Sequence, residues 1–248
     1  MNKSLMLTAA SALAALAVTL GVVEEFSSAP APTPAATLLP VGPSTPPLPH
    51  SPSPDLAALL ASLRIVDELP EVPGYERGCE NGSACVFGPA WTDNYTGPGS
   101  HNGCDSRNDV LRAQLRDVTV KPGTRNCKVL TGTLDDPYTG ATISFTTDKP
   151  SAVQIDHVYP LARAWRAGAS TWTLEQRTSF ANDIELNLLA VDGRANQQKS
   201  DQGLDTWLPP HSGFRCDYAH RYLSVAQRYQ LAITRHDATA AVTACATT

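Results

Sequence analysis

The sequence predicts an α+β domain, richer in helix than in strand, behind an apolar leader and a proline-rich tether. Three observations lead there. Val153 to Val158 and Leu186 to Val191 are short apolar runs with strand chemistry, and each is stopped by a turn or proline signal. Cys127 to Phe145 alternates around Asp-Pro-Tyr-Thr-Gly in the manner of a β-hairpin. Several polar stretches repeat their apolar residues at helical spacing, most clearly from Asp217 to Ile233.

Taken in order, the chain opens with Lys3 and then an uncharged, mostly apolar run of 19 residues, Leu5 to Val23. This predicts an export signal over residues 1–28. An uncleaved N-terminal anchor is the alternative, because 19 apolar residues just reach across a bilayer. Residues 29–73 form a Pro/Ala-rich linker that cannot build a core. One short helix, from Asp55 to Arg64, interrupts it before Pro70 and Pro73. The folded domain is expected over residues 74–248, where all six cysteines lie. An even cysteine count behind an export signal reads as three disulfides, and six cysteines allow fifteen pairings. No Cys-x-x-Cys pair favours zinc instead.

Within the domain, Asp109 to Leu115 is expected as a helix, then the 127–145 hairpin, then the strand Val153 to Val158. Ala162 to Ala167 and a second helix opened by the capping box Thr173-Leu-Glu-Gln176 follow. The strand Leu186 to Val191 ends at the turn signal Asp192-Gly193, and an exposed helix runs from Arg194 to Lys199. A helix over 217–233 and another from Ala238 to Cys245 complete the chain. Trp165 and Trp207 are expected in the core. His101, His211, His220 and His236 have no metal-ligand spacing and are expected at the surface or in structural roles. The formal net charge of −5 argues against a protein that coats nucleic acid through general basicity.

The chemistry concentrates in residues 153–199. Two strands and a helix would bring Asp156, His157, Asn196 and Lys199 together. A carboxylate and an amide oxygen are hard ligands suited to Mg²⁺. An imidazole can take a proton from water near neutral pH. An ammonium can hold a phosphate oxygen. The set suits hydrolysis of a phosphodiester.

Asp156-His157-Val158-x-Pro160-Leu161, then Asn187-Leu188, then Asn196-x-x-Lys199 resembles the ββα-metal motif of HNH endonucleases, in the variant ending in Asn. Cys104 to Leu111, Gly132 to Gly140, Phe180 to Asp183 and Thr206 to Pro210 extend the likeness to secreted bacterial HNH nucleases, over about residues 74–245. The resemblance implies a ββα-metal (His-Me finger) core with an added hairpin and surrounding helices. It implies one divalent cation, Mg²⁺ first and Mn²⁺ second, on Asp156 and Asn196. His157 would be the general base, and Asn187 would tie the loop between the strands. Lys199 would contact substrate phosphate or stay a solvated helix residue, and Arg107 would approach the phosphate or pair with Asp105 or Asp109. The implied protein is a secreted monomer with no obligate protein partner, acting on nucleic acid with low sequence specificity, DNA ranked ahead of RNA and both left open. Proximity and the family pattern pair Cys79 with Cys85, Cys104 with Cys127, and Cys216 with Cys245. One departure is the separation of 30 positions between His157 and Asn187, longer than in compact HNH motifs. The competing readings are a degenerate HNH-like binding module and another secreted hydrolase. The latter lacks the His-Glu-x-x-His run a zinc peptidase would carry.

Overall fold

The computed structural model describes residues 54–80 and 84–246, so the expected export signal or anchor lies outside the described residues. In chain order the elements are α1 (Pro54–Ala61), β1 (Ile65–Val66), α2 (Ser106–Gln114), β2 (Arg116–Val120), β3 (Val129–Asp135), β4 (Thr142–Thr146) and β5 (Val153–His157). They continue with α3 (Leu161–Ala167), α4 (Leu174–Ala181), β6 (Leu188–Asp192), α5 (Gly193–Lys199), α6 (Arg215–Arg228), β7 (Ile233–Thr234) and α7 (Arg235–Ala246). The fold is α+β and disulfide-bonded, as expected.

Side-chain caps set several helix starts. Asp105 accepts from the Asn108 amide and opens α2. Thr173 and Gln176 form the reciprocal capping box of α4. The expected hairpin is β3–β4, paired antiparallel from Thr131↔Thr146 to Asp135↔Thr142. A third strand, β2, extends it through an irregular ladder with β3. The sequence hid β2 because Arg116-Asp-Val-Thr-Val is short and half-exposed, its pairing carried partly by Arg116 on Asp135.

The ribbon β5–β6 divides the interior. Val153 and Ile155 pack with Leu188 and Ala190 into a smaller core under α2 and the three-stranded sheet. Leu189 and Val191 belong to the larger core, which holds most of the helices. The period-2 alternation of strands accounts for this split. Disulfides join Cys79–Cys85, Cys104–Cys127 and Cys216–Cys245, with Cα–Cα distances of 4.4, 5.1 and 4.6 Å.

The expected domain start at residue 74 is corrected by α1 and β1. Leu56 and Leu60 are buried in the larger core, and β1 pairs in parallel with β7 (Ile65↔Ile233). The larger core therefore takes in residues that precede residue 74. The helix was expected from the sequence, but its docking was not: its apolar residues are core.

Candidate functional site

β5 and β6 run antiparallel with His157 opposite Leu188 and Asp156 opposite Leu189, and α5 follows β6 without a connecting turn. Asp192 caps α5 by accepting from the Arg194 and Ala195 amides. Gly193 is required for this close return: a Cβ there would lie 1.9 Å from the Ser151 carbonyl oxygen. The result is a strand–strand–helix unit whose open side is a groove of about 480 Å³, lined by Asp156, His157, Asn196, Arg77 and Asp201 among others.

Asp156 is 5% exposed and closely braced. Its Oδ1 accepts from Lys199 Nζ at 2.9 Å, and its Oδ2 accepts from the Tyr138 hydroxyl at 2.5 Å. Burial, then the neighbouring Asp156 charge, hold the Tyr138 phenol well above its usual pKa, so it stays a donor. An ionised carboxylate has about four lone-pair sites, so two donors leave it able to accept from the groove as well.

His157 also lines this groove and stacks on Trp91, with ring centroids 5.7 Å apart and planes 15° from parallel. Its Nε2 lies 2.8 Å from the Ala181 carbonyl oxygen. A carbonyl only accepts, so Nε2 carries the hydrogen and Nδ1 keeps the lone pair in the neutral ring. Burial first, and the Arg77 charge second, lower the imidazole pKa to about 4. The ring is neutral at pH 7.

Asn196 donates Nδ2 to Gln154 Oε1 at 2.9 Å, which aims the amide and leaves its oxygen out of the described hydrogen bonds. Asn187 is fully buried. It accepts at Oδ1 from the Tyr159 amide (2.9 Å) and donates Nδ2 to the Phe180 carbonyl (3.3 Å), joining the chain after β5 to the end of α4. The long insertion between His157 and Asn187 thus packs back on the site: α4 supplies the carbonyl that holds the imidazole.

Two expectations are corrected. Lys199 does not face the groove. It is 0% exposed, and its ammonium is engaged by Asp156 and by the His157 carbonyl at 2.9 Å. A helix face that reads as polar and solvated in the sequence turns its lysine inward because a buried carboxylate waits there. Arg107 is likewise remote from the groove. It donates to the Pro150 and Val153 carbonyls at the start of β5, about 13 Å along the strand from His157.

The sequence did not single out Tyr138, Gln154, Trp91 or Arg77. Tyr138 passed for a hairpin-turn residue. Gln154 had one legible signal, its i−2 position sharing the Asp156 face of β5. Trp207 packs on Tyr138 at 4.9 Å and Trp165 is buried, so both belong to the core as expected. Among the described residues, Cys216, His220 and Cys245 form the one three-residue His/Cys/acid cluster with ligand atoms within 4.8 Å, but its two sulfurs are joined in a disulfide.

Residues 105–241, more than half of the 248-residue chain, match the family described as GmrSD restriction endonucleases, C-terminal domain. A protein of Arthroderma benhamiae described as an uncharacterized secreted protein is 40% identical over 132 residues. That match covers 53% of this chain and 61% of the relative's length. No solved structure matches the chain. The matched span contains β5, β6, α5 and every residue of the groove except those contributed by the N-terminal loop around Arg77, and the chain belongs to the family of GmrSD restriction endonuclease C-terminal domains.

Proposed function

We propose that the protein is a secreted, metal-dependent endonuclease of HNH type, hydrolysing phosphodiester bonds of DNA with little sequence preference. The observation that carries this reading is the convergence of Asp156, His157 and Asn196 on one groove of a strand–strand–helix unit. Family membership supports nuclease chemistry. Three disulfides and a relative described as secreted support an extracellular setting.

The donor set fits a hard divalent cation, Mg²⁺ or Mn²⁺. Asp156 retains acceptor capacity beside its two donors, and Gln154 turns the Asn196 oxygen free. Two protein ligands are few, but Mg²⁺ ordinarily keeps several waters and shares substrate phosphate. When bound, such an ion neutralises charge that grows on the phosphate and leaving oxygen.

The chain's own residues do the rest. His157 Nδ1 takes a proton from water, while Nε2–H stays on the Ala181 carbonyl and fixes the ring. Trp91 restrains the imidazole plane by stacking. Asn187 holds the backbone on which His157 and Ala181 face each other. Lys199 and Tyr138 keep Asp156 in place from the interior.

The test is cleavage of plasmid DNA and of RNA across a panel of divalent metals. His157→Ala should slow cleavage by ~10²-fold or more with the fold intact, the usual scale for a general base. A variant that cuts at the parental rate removes His157 from that role. Equal cleavage in EDTA and in Mg²⁺ removes the metal. Duplex binding without any cutting would instead mark a degenerate binding module.

A further inference from the structure

A nucleic acid must lie across this groove, yet the chain carries a formal net charge of −5. The carboxylates near the site are largely spent: Asp156 on Lys199, and Asp201 on Arg166 at 3.4 Å. The question becomes which cations remain to meet phosphate. Among the described residues, six Lys and Arg side chains make no hydrogen bond or ion pair: Arg77, Lys121, Arg125, Lys128, Lys149 and Arg194.

Their placement is not random. Arg77 lines the groove with Asp156, His157 and Asn196. Gln197 lines both this groove and a neighbouring one, and the neighbour is lined by Lys149 and Arg194. The other three sit together between β2 and β3, on a turn that lines neither groove. In the second groove Asp192 is committed to capping α5, which leaves Asp148 as the opposing charge. α5 has seven residues, about 10 Å of helix. That equals roughly three phosphate steps at ~3.4 Å each.

Arg77 is also held for the task. The Val86 amide donates to the Glu76 carbonyl and the Cys85 amide to the Gly78 carbonyl, both at 3.0 Å, so the residues on either side of Arg77 are pinned. The Cys79–Cys85 disulfide closes the same loop. This loop lies outside residues 105–241, the family-matched span.

We propose that the nucleic-acid backbone follows the outer side of α5, with Arg77 clamping phosphate at the reacting position and Arg194 and Lys149 holding the strand beyond Gln197. The track rests on the nuclease reading above, and its test separates the two. Binding of a fluorescein-labelled DNA duplex is measured by anisotropy against salt, using the full chain carrying His157→Ala to prevent turnover. The combined variant Arg77→Gln, Lys149→Gln, Arg194→Gln should bind ~10²-fold more weakly near 0.1 M salt. Its log–log salt slope should shrink by roughly 2–3, at about 0.9 per phosphate contact. The matched variant Lys121→Gln, Arg125→Gln, Lys128→Gln should keep the parental slope. An unchanged slope in the first variant, or an equal loss in the second, overturns the track. Cleavage by the unaltered chain is followed alongside. If it cuts DNA while the first variant binds normally, the track alone is wrong; if it neither binds nor cuts, the proposed function goes with it.

Discussion

Lys199 and Asp156 form an ion pair behind the groove, with Nζ 2.9 Å from Oδ1 and the lysine wholly buried. Burial alone pushes the ammonium pKa down, and the carboxylate opposes that shift. Removing one member of such a pair strands the other charge in a poorly solvating interior. Lys199→Met is therefore expected to cost ~3–5 kcal/mol in urea unfolding, measured without divalent cations. A loss below ~1 kcal/mol would show that Asp156 is held without it.

Tyr138 acts on the same carboxylate from the other side. Tyr138→Phe removes one hydrogen bond to a charged acceptor, worth ~1.5–3 kcal/mol of stability. Its larger expected effect is on the cation requirement. Loss of a group that orients a ligand usually weakens metal affinity ~10–100-fold. A Mg²⁺ titration of cleavage reads this, and a superimposable curve for the variant would leave Tyr138 a purely structural role.

Asp237 gathers three donors while fully buried: Arg163 NH2, the Leu204 amide and the Thr234 amide. Asp237→Ala leaves Arg163 without its closest buried counter-ion and should cost ~3–5 kcal/mol. Thermal melting checks it, and a change of only a degree or two would be too small for that mechanism.

Leu56 is completely buried, although it stands in the stretch that reads as linker. Leu56→Ala should cost ~2–5 kcal/mol, the range for a core leucine. An undocked helix would give nearly nothing.

The strand at Val153, the capping box at Thr173 and the last two helices were legible because each rests on local chemistry: alternation, caps and apolar spacing. Asp156, His157 and Asn196 line one groove, and the likeness to the HNH motif is what drew attention to all three. What stayed hidden depends on contacts distant in sequence. Lys199 looked solvated because its carboxylate partner lies 43 positions away. The carbonyl partners of Arg107 were hidden because such acceptors leave no trace in side-chain patterns. Trp91 and Arg77 reach the site from a loop with no periodicity, where only the cysteines drew notice.

The parallel pairing of Ile65 with Ile233 bears on how the molecule is made. The segment around Ile65 waits for nearly the last residues of the chain before its ladder can close, and Leu56 waits for the same helices to cover it. Contacts of such long sequence separation form slowly. In the exported protein proposed above, α1 would therefore complete its packing only after the C-terminal elements have been made.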